Sequence, residues 1–303
     1  MNYEDLKLEF FYLRKACFKY RSFSKYIYSK YVVCRGFTKL NKIFEKPINN
    51  SDLSMHIFAC RRDFKMLMWS LESFYKAIGE VGELYIHNNS NLREKDKKIL
   101  KKFFPSCHIV ETGNFQMEYK DILKKHWLIQ KFRAEKRWAR FFAKLIDPYF
   151  VSPKKYRLII DSDLLWFRKA VDIDKEINNG CQNSIMMRNN GVCPVYFKNN
   201  TRLDDKLASY NSGIVLYKKE NLNLDKLGEY LQKLDENMPD NYHFIEQAGY
   251  AYCLTNLRGL SKGAYVIGDK AGENTVVRHY TSPRRPLFFI EGVGKLHKMS
   301  RVN

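Results

Sequence analysis

Residues 154–170 read KKYRLIIDSDLLWFRKA, where a short apolar run ends in two aspartates on either side of one serine. A strand buried on both faces has such a continuous apolar run, and open α/β sheets bind ligands beyond the carboxyl ends of their strands. Asp161 and Asp163 stand at that end, where both carboxylates can reach one small volume. Because Mg²⁺ and Mn²⁺ prefer oxygen ligands, the stretch predicts a buried strand with a cation site at its end.

The Asp-x-Asp pattern is short, so its position matters more than its presence. With ordinary aspartate usage, a chain of this length contains about one such pattern by chance. A second copy, DID at residues 172–174, has no apolar strand before it and looks like a helix start, where Asp is favoured. Only Asp161 and Asp163 are therefore predicted to reach the edge of a sheet.

The segment before this strand alternates between strand and helix patterns. MHIFAC at residues 55–60 and ELYIHNN at residues 83–89 have the composition of buried strands, and residues 63–79 carry apolar side chains at helical spacing. A further helix pattern leads to the strand CHIVET at residues 107–112. Strands that alternate with helices predict an α/β fold with a mainly parallel sheet and helices on both faces.

A long basic segment, residues 119–147, has apolar residues along one side. One interpretation is a stripe that faces the core, with the cations on a solvated opposite face. The alternative is that some of these cations face the ligand.

Three later segments place polar residues beside strand or helix patterns. YNSGIVLYKKE reads as a turn of small residues that opens a strand, and Gly213 there lets the backbone approach a ligand closely. HFIEQAGYAYCL reads as a helix, in which Glu246 is either a base or sugar-binding group or an ordinary half-exposed residue. VVRHY reads as a strand ending in His279, which either completes a metal shell or is structural, and Arg284 and Arg285 after it suit phosphate.

Taken in this order, these segments resemble the GT-A fold of nucleotide-sugar-dependent glycosyltransferases, a Rossmann-like α/β fold. The resemblance rests on LIIDSD, NSGI, IEQ and RHY and covers about Met55 to Arg285. The Asp-x-Asp and Glu-Gln pairs are most similar to the family 8 type. YIHNNS departs from the pattern, because many relatives have an acidic residue at the end of the second strand, which leaves base recognition open.

The resemblance implies a role for each matching residue. Asp163 would bind Mn²⁺ or Mg²⁺ directly, Asp161 would contact the ribose and share the metal, and His279 would be the late metal-ligating histidine. Glu246 matches the general base of inverting members, but Gln247 replaces an aspartate often found beside it, so inversion and retention both stay open. The residues implied to bind the donor are Arg61, Arg62, Asp161, Ser162, Asn211, Ser212, Gly213, Arg284 and Arg285.

Composition narrows the class of protein. Lys and Arg outnumber Asp and Glu by 53 to 33, and a net charge of +20 attracts anions such as nucleotides, nucleic acid, acidic glycans or an acidic membrane face. The seven cysteines form no Cys-x-x-Cys pair and are odd in number, which argues against a disulfide framework and a zinc site. No window approaches the roughly 18 apolar residues of a spanning helix. We therefore expect a cytoplasmic protein with reduced thiols.

Residues 1–50 differ in composition from the rest. They contain 11 Lys or Arg, 4 Asp or Glu and 12 aromatic residues, and KPINNSDLS at residues 46–54 is a plausible boundary. We expect a helical, basic and aromatic N-terminal extension, followed by a GT-A catalytic domain over residues 51–303. The extension either packs its aromatic faces on the main domain or lies peripherally on anionic lipid.

The function that the resemblance implies is a metal-dependent, hexosyltransferase-like glycosyltransferase. It would move sugar from a nucleotide-sugar donor to a glycan or lipid-linked acceptor, and an acidic or membrane-bound acceptor would account for the excess charge. One alternative is a nucleotidyltransferase of related fold, although ACRRDFK after the first strand has the cations of a phosphate loop without its glycines. The other is a nucleic-acid-binding protein, which would explain neither the aspartate pair nor the late histidine.

Overall fold

The computed structural model describes residues 3–34, 49–79, 81–89, 91–135, 139–196, 201–237, 244–268 and 271–299. Residues 35–48, which include the start of the predicted domain boundary, lie outside these ranges, as do residues 136–138 of the basic segment.

The strands of the described chain form two sheets. They are β1 (Asn49–Ala59), β2 (Val81–Asn88), β3 (His108–Glu111), β4 (Tyr156–Ile160), β5 (Leu164–Trp166), β6 (Ser184–Arg188), β7 (Tyr210–Lys218), β8 (Leu257–Gly259), β9 (Tyr265–Ile267) and β10 (Val277–His279). The large sheet has the order β3-β2-β1-β4-β7-β6-β8, and the small one has the order β5-β10-β9. In the large sheet only β7 runs antiparallel to its neighbours, β4 and β6. The predicted mainly parallel α/β sheet is confirmed.

Helices cover both faces of the large sheet. They are α1 (Tyr3–Arg14), α2 (Phe23–Tyr31), α3 (Phe64–Ile78), α4 (Glu94–Phe103), α5 (Phe115–Glu118), α6 (Lys120–Leu123), α7 (Trp127–Ala134), α8 (Ala139–Val151), α9 (Val171–Asn178), α10 (Asp205–Ala208), α11 (Leu224–Glu236), α12 (Ile245–Cys253), α13 (Arg285–Leu287) and α14 (Gly294–Met299), with π-helical turns at Lys15–Lys19 and Phe288–Val293. One core joins the sheet to α3, α4 and α9, and a second joins its other face to α7, α8, α11 and α12. The second Asp-x-Asp lies in the first turn of α9, as predicted.

Strand β4 has a core on each side. All five of its residues are buried. Leu158 and Ile160 pack in the first core, and Ile159 packs in the second. Full burial of one such side chain stabilises the fold by about 1.5–3 kcal/mol, so the continuous apolar run is what fixes β4 in the middle of the sheet. Its carboxyl end is therefore held firmly, and Asp161 follows it directly.

A polar pair is buried between β1 and β2. His56 Nδ1 lies 2.9 Å from His87 Nε2, and His56 Nε2 lies 2.9 Å from Ser54 Oγ. Burial lowers the pKa of His87 to about 3 and lowers the pKa of His56 well below its ordinary value. Both rings are therefore neutral in the folded chain at neutral pH, whereas in the unfolded chain each takes up a proton at about pH 6.5.

We expect the free energy of unfolding to fall as the pH drops below about 6.5, because the unfolded chain then binds protons that the folded chain does not. Each histidine should contribute a slope of about 1.4 kcal/mol per pH unit. His87→Gln, which keeps a hydrogen-bonding group beside His56, should reduce the slope by about that amount in urea unfolding between about pH 6 and pH 4. His108→Gln, at an exposed position on β3, is the control; equal slopes for the two variants would contradict the prediction.

The N-terminal helices pack against the C-terminal segment and α3. Tyr12 and Tyr26 are buried in a third core with Trp69 of α3 and with Phe289, whose ring meets Tyr26 edge-on at 5.7 Å. Glu9 joins α1 to α2, because its carboxylate accepts from the hydroxyls of Tyr26 and Tyr31 and pairs with the ammonium of Lys30. Division of the chain at residue 50 stays a prediction. Within the ranges that the structure describes, no helix is both long and apolar enough to cross a membrane.

Candidate functional site

A cavity of about 830 Å³ lies at the carboxyl end of β4, where β7 of the large sheet and β10 of the small sheet meet. Its walls come from the turn after β4, from α8, β7 and α12, and from the segment after β10. The predicted site residues that line it are Asp161, Asp163, Asn211, Ser212, Glu246, Gln247, His279, Arg284 and Arg285.

Two aspartates and one histidine converge in this cavity. One ligand atom from each of Asp161, Asp163 and His279 lies within 4.8 Å of the other two. His279 Nε2 is 3.0 Å from Asp163 Oδ1 and 3.4 Å from Asp161 Oδ2. Strand pairing brings them together: the turn after β4 leads into β5, and β10 pairs antiparallel with β5, with His279 opposite Leu164. The amide of Tyr280 donates to the carbonyl of Asp163 at 3.0 Å and closes this contact.

Hydrogen bonds fix the ring of His279. Asn211 Oδ1 accepts from the backbone amide of Gly213 at 2.8 Å and lies 3.1 Å from His279 Nδ1. Because that oxygen can only accept, Nδ1 carries a proton, and in the neutral ring Nε2 presents a lone pair to the two carboxylates. Acceptor atoms 3.0 Å apart need a proton or a metal ion between them. Two carboxylates and an imidazole held by its other nitrogen form a donor set that fits a divalent cation such as Mn²⁺.

Gly213 leaves space for this histidine. It lies inside β7 and not in a turn before the strand, which corrects the sequence interpretation of NSG. A Cβ atom at Gly213 would come within 2.6 Å of His279 Nδ1 and 2.9 Å of Asn211 Oδ1. The close approach that the glycine permits is therefore to the imidazole of His279.

Gly213→Ala should lower the free energy of unfolding by about 1–3 kcal/mol, because the new methyl group overlaps side chains that are held by hydrogen bonds. Gly228→Ala is the control, since nothing lies within 4 Å of a Cβ atom there, on helix α11. The control should be neutral or should stabilise the chain by up to about 1 kcal/mol. Urea unfolding measures both, and equal midpoints would contradict the steric argument.

Lys144 of α8 forms ion pairs with two acidic residues inside the cavity. Its Nζ lies 2.7 Å from Asp161 Oδ1 and 3.1 Å from Glu246 Oε1, and it donates to Ser212 Oγ at 3.1 Å. Burial alone would lower the pKa of this ammonium, but the two carboxylates outweigh burial and raise it above its ordinary value. Lys144 is therefore a fixed positive charge beside the Asp-x-Asp turn.

Arg285 supplies a second cation, whose side chain is 14% exposed. Its guanidinium contacts Asp163 Oδ2 at 3.1 Å through Nη2, and its Nη1 donates to Asp63 Oδ1 at 2.9 Å. Burial opposes ionisation of Asp163, but the charge of the His279 ring when it is protonated and the charge of Arg285 outweigh burial and hold the pKa of that carboxyl below its usual range. Arg284 lines the same cavity and donates to Thr281 Oγ1 at 3.1 Å.

Helix α12 presents two polar side chains to the cavity, Glu246 and Gln247. Gln247 Nε2 is buried with no hydrogen-bond partner among the described residues, and the neighbour of Glu246 Oε1 is the ammonium of Lys144 at 3.1 Å. Burial raises the pKa of Glu246, and Lys144 opposes part of that rise. Asn211 Nδ2 donates to Gln247 Oε1 at 3.2 Å, which turns the amide nitrogen of Gln247 away from Asn211. Unfilled buried polar atoms in a cavity are where ligand hydroxyls bind well.

Comparison with known proteins identifies the fold. No family model matches the sequence, and no curated protein matches it. The mouse xyloside xylosyltransferase 1 structure is 14% identical, with a TM-score of 0.52 over 78% of this chain and 99% of that one. The bifunctional glycosyltransferase WbbM is 10% identical, with a TM-score of 0.54 over 84% of this chain and 52% of that one. The galactosyltransferase LgtC, in complex with donor and acceptor sugar analogs, is 11% identical, with a TM-score of 0.53 over 82% and 95%.

The chain has the GT-A fold. At these identities the likeness concerns the fold alone. It agrees with the resemblance seen in the sequence, and β4, which Asp161 follows directly, is the central strand of the large sheet.

The GT-A fold of this chain does not bring every predicted residue into the cavity. Ser162 and Gly213 are buried next to it but are not among the residues that line it. Arg61 and Arg62 line a second, smaller cavity of about 290 Å³, beside the N-terminal helices. Arg285 lines both cavities. The roles of these four residues in donor binding stay predictions.

Two charged residues of the site were not singled out from the sequence. Lys144 falls between Phe141 and Leu145 on the apolar side of the basic segment, and a cation within a core-facing stripe is the signal that could have found it. Lys144 lines the cavity, and the alternative that some cations of this segment face the ligand stays a prediction. Asp63 has no comparable signal, because its partner Arg285 is 222 residues away.

Proposed function

We propose that this chain is a metal-dependent glycosyltransferase of the hexosyltransferase type, which moves sugar from a nucleoside diphosphate donor to a hydroxyl acceptor. The observation that carries the proposal is the convergence of Asp161, Asp163 and His279 in a GT-A cavity large enough for a nucleotide sugar. Mn²⁺ fits this mixed donor set, with Mg²⁺ as the other candidate. A bound divalent cation would neutralise the charge of the donor diphosphate.

The two arginines after β10 suit the same reaction. When the bond between the sugar and the diphosphate breaks, negative charge develops on the departing phosphate, and fixed cations stabilise that charge. Arg285 is held next to Asp163, and Arg284 lies one residue away on the cavity wall, so both would face the departing phosphate. Arg61 and Arg62, in the cavity beyond Arg285, would then lie towards the nucleoside.

Glu246 and Gln247 are the proposed groups on the sugar and acceptor side. Burial raises the pKa of Glu246, which brings a carboxylate closer to the range where it can accept a proton from an attacking hydroxyl. Lys144 holds Glu246 near Asp161, which would contact the donor. Asn211 and Ser212 would contact the donor sugar from β7. The anomeric configuration of the product distinguishes a base role for Glu246 from a role in sugar binding alone.

A thermal-shift panel of nucleotide sugars, each with and without Mn²⁺, tests the proposal. A matching donor should raise the midpoint only when Mn²⁺ is present, because a ligand that binds the folded chain stabilises it by mass action. That donor should then be hydrolysed slowly in the absence of an acceptor. Stabilisation by a nucleoside triphosphate with a sugar phosphate, and by no nucleotide sugar, would replace the proposal with a nucleotidyltransferase.

The acceptor that we propose is a glycan or a lipid-linked sugar of acidic character. The net charge of +20 supports an acidic acceptor, since a basic enzyme concentrates acidic substrates near its surface. High salt should slow transfer to acidic acceptors much more than it slows donor hydrolysis. Equal salt dependence of the two rates would contradict an acidic acceptor.

A further inference from the structure

The N-terminal helices expose an unusual number of large apolar side chains. Among the described residues, eight of the thirteen exposed large hydrophobic side chains fall between residues 3 and 34. They are Tyr3, Leu6, Phe10, Phe11, Phe18, Phe23, Tyr28 and Val32. Phe10 and Phe18 are 71% and 75% exposed, so they contribute almost nothing to packing within the chain. An apolar cluster of this kind on a folded surface marks an interaction site.

On α1, Tyr3 and Phe10 lie on the side opposite the core. Tyr12 is buried against the rest of the protein, and Phe10, two residues earlier, is turned about 160° from it around the helix axis. Tyr3 and Phe10 share one side, at a spacing of two helical turns. Exposed Lys7 and Arg14 lie on that same side. The outward face of α1 therefore alternates aromatic rings with cations, whereas an ordinary surface helix has a polar outward face.

The charge of this surface is positive. Residues 3–34 contain seven Lys or Arg and three Asp or Glu. One of the three acids, Glu9, is engaged inside the helix pair by Tyr26, Lys30 and Tyr31. A second copy of the chain would bring two positive faces together, so charge argues against self-association through this surface. Phenylalanine rings with surrounding cations suit an anionic bilayer, where rings enter the interface and cations meet acidic head groups.

We propose that the exposed aromatic and basic surface of α1, α2 and the π-helical turn between them binds anionic lipid bilayers. One contact links this surface to the cavity. Lys15 of the π-helical turn donates to the carbonyl of Pro283 at 3.0 Å, and Pro283 lines the cavity wall. Docking would therefore hold the cavity close to the membrane. The membrane contact rests on the proposed function and narrows its acceptor to a lipid-linked or membrane-surface glycan.

Vesicle sedimentation of the full chain tests the lipid contact without any donor. The chain should bind phosphatidylcholine vesicles that contain phosphatidylserine, should bind pure phosphatidylcholine far less, and should be released by salt. Phe10→Ser/Phe18→Ser should weaken binding about 10-fold or more, because two exposed rings no longer enter the interface. Lys7→Gln/Arg14→Gln should weaken binding to the acidic vesicles alone. Met117→Ser is the matched control, since Met117 is 73% exposed outside this surface.

Three outcomes would overturn the proposal: no binding of the wild-type chain to acidic vesicles, equal binding by the Phe10→Ser/Phe18→Ser variant, or equal binding to both vesicle types. Concentration-dependent dimerisation that the same aromatic variant abolishes, without vesicle binding, would assign the surface to a second copy instead. Donor stabilisation in the thermal-shift panel should be the same for the wild type and all three variants. A failed vesicle assay with intact donor binding therefore rejects the membrane contact and leaves the glycosyltransferase proposal standing.

Discussion

Asp163→Asn should lower turnover of the nucleotide sugar by about 100-fold or more while the chain stays folded. The amide has the shape of the carboxylate but lacks its charge, so it weakens the cation site formed with Asp161 and His279. It also removes one of the two negative partners of Arg285, and the other, Asp63, still holds that guanidinium in place. The measurement is donor hydrolysis at saturating Mn²⁺, together with a calorimetric titration of Mn²⁺.

The chain contains its own control for this variant. Asp174 belongs to the second Asp-x-Asp, in the first turn of α9, and pairs with Lys169 at 3.0 Å. Asp174→Asn should leave turnover and Mn²⁺ affinity unchanged and should cost less than about 1 kcal/mol of stability, as expected for a surface ion pair. If Asp163→Asn retains wild-type turnover and Mn²⁺ affinity, the assignment of the cation site is wrong. Loss of Mn²⁺ affinity in both variants would point to a nonspecific effect of charge.

The local sequence pattern was enough to predict the strand that supports the site and the two aspartates at its end. The apolar run of β4 indicated burial on both faces, and the carboxyl-end rule then placed Asp161 and Asp163 at the sheet edge. The same pattern separated them from the second Asp-x-Asp, which has no strand before it. The structure has both features where the sequence put them.

Pairing between distant segments was not predictable in the same way. Strands β5, β9 and β10 have only three residues each, too few for a periodic signal, yet their pairing carries His279 to Asp163. Arg285 and Asp63 likewise meet only because the chain closes on itself. The sequence predicts that Gly213 lets the backbone approach a ligand, whereas the neighbour that needs the space is His279. In each case a residue's partner depends on tertiary contacts, which no local window contains.

Lys144→Met should lower the free energy of unfolding by about 3–5 kcal/mol, because it leaves the carboxylates of Asp161 and Glu246 without their buried cation. The lower end of that range is expected, since the side chain of Asp161 is 26% exposed and keeps some solvation. Urea unfolding measures the change. Lys131→Met is the control: Lys131 pairs with Asp235 at the surface, and its loss should cost about 0–1 kcal/mol.

A second substitution separates charge from packing. In Lys144→Met/Glu246→Gln one of the two uncompensated carboxylates is gone, so the double variant should recover part of the loss, with a coupling energy of at least about 1 kcal/mol. Mn²⁺ should also stabilise Lys144→Met more than it stabilises the wild type, because a cation bound at Asp161 replaces the missing ammonium. If the double variant is simply additive and Mn²⁺ stabilises both chains equally, Lys144 acts through packing alone. Its pairing with Asp161 would then be incidental to the cation site.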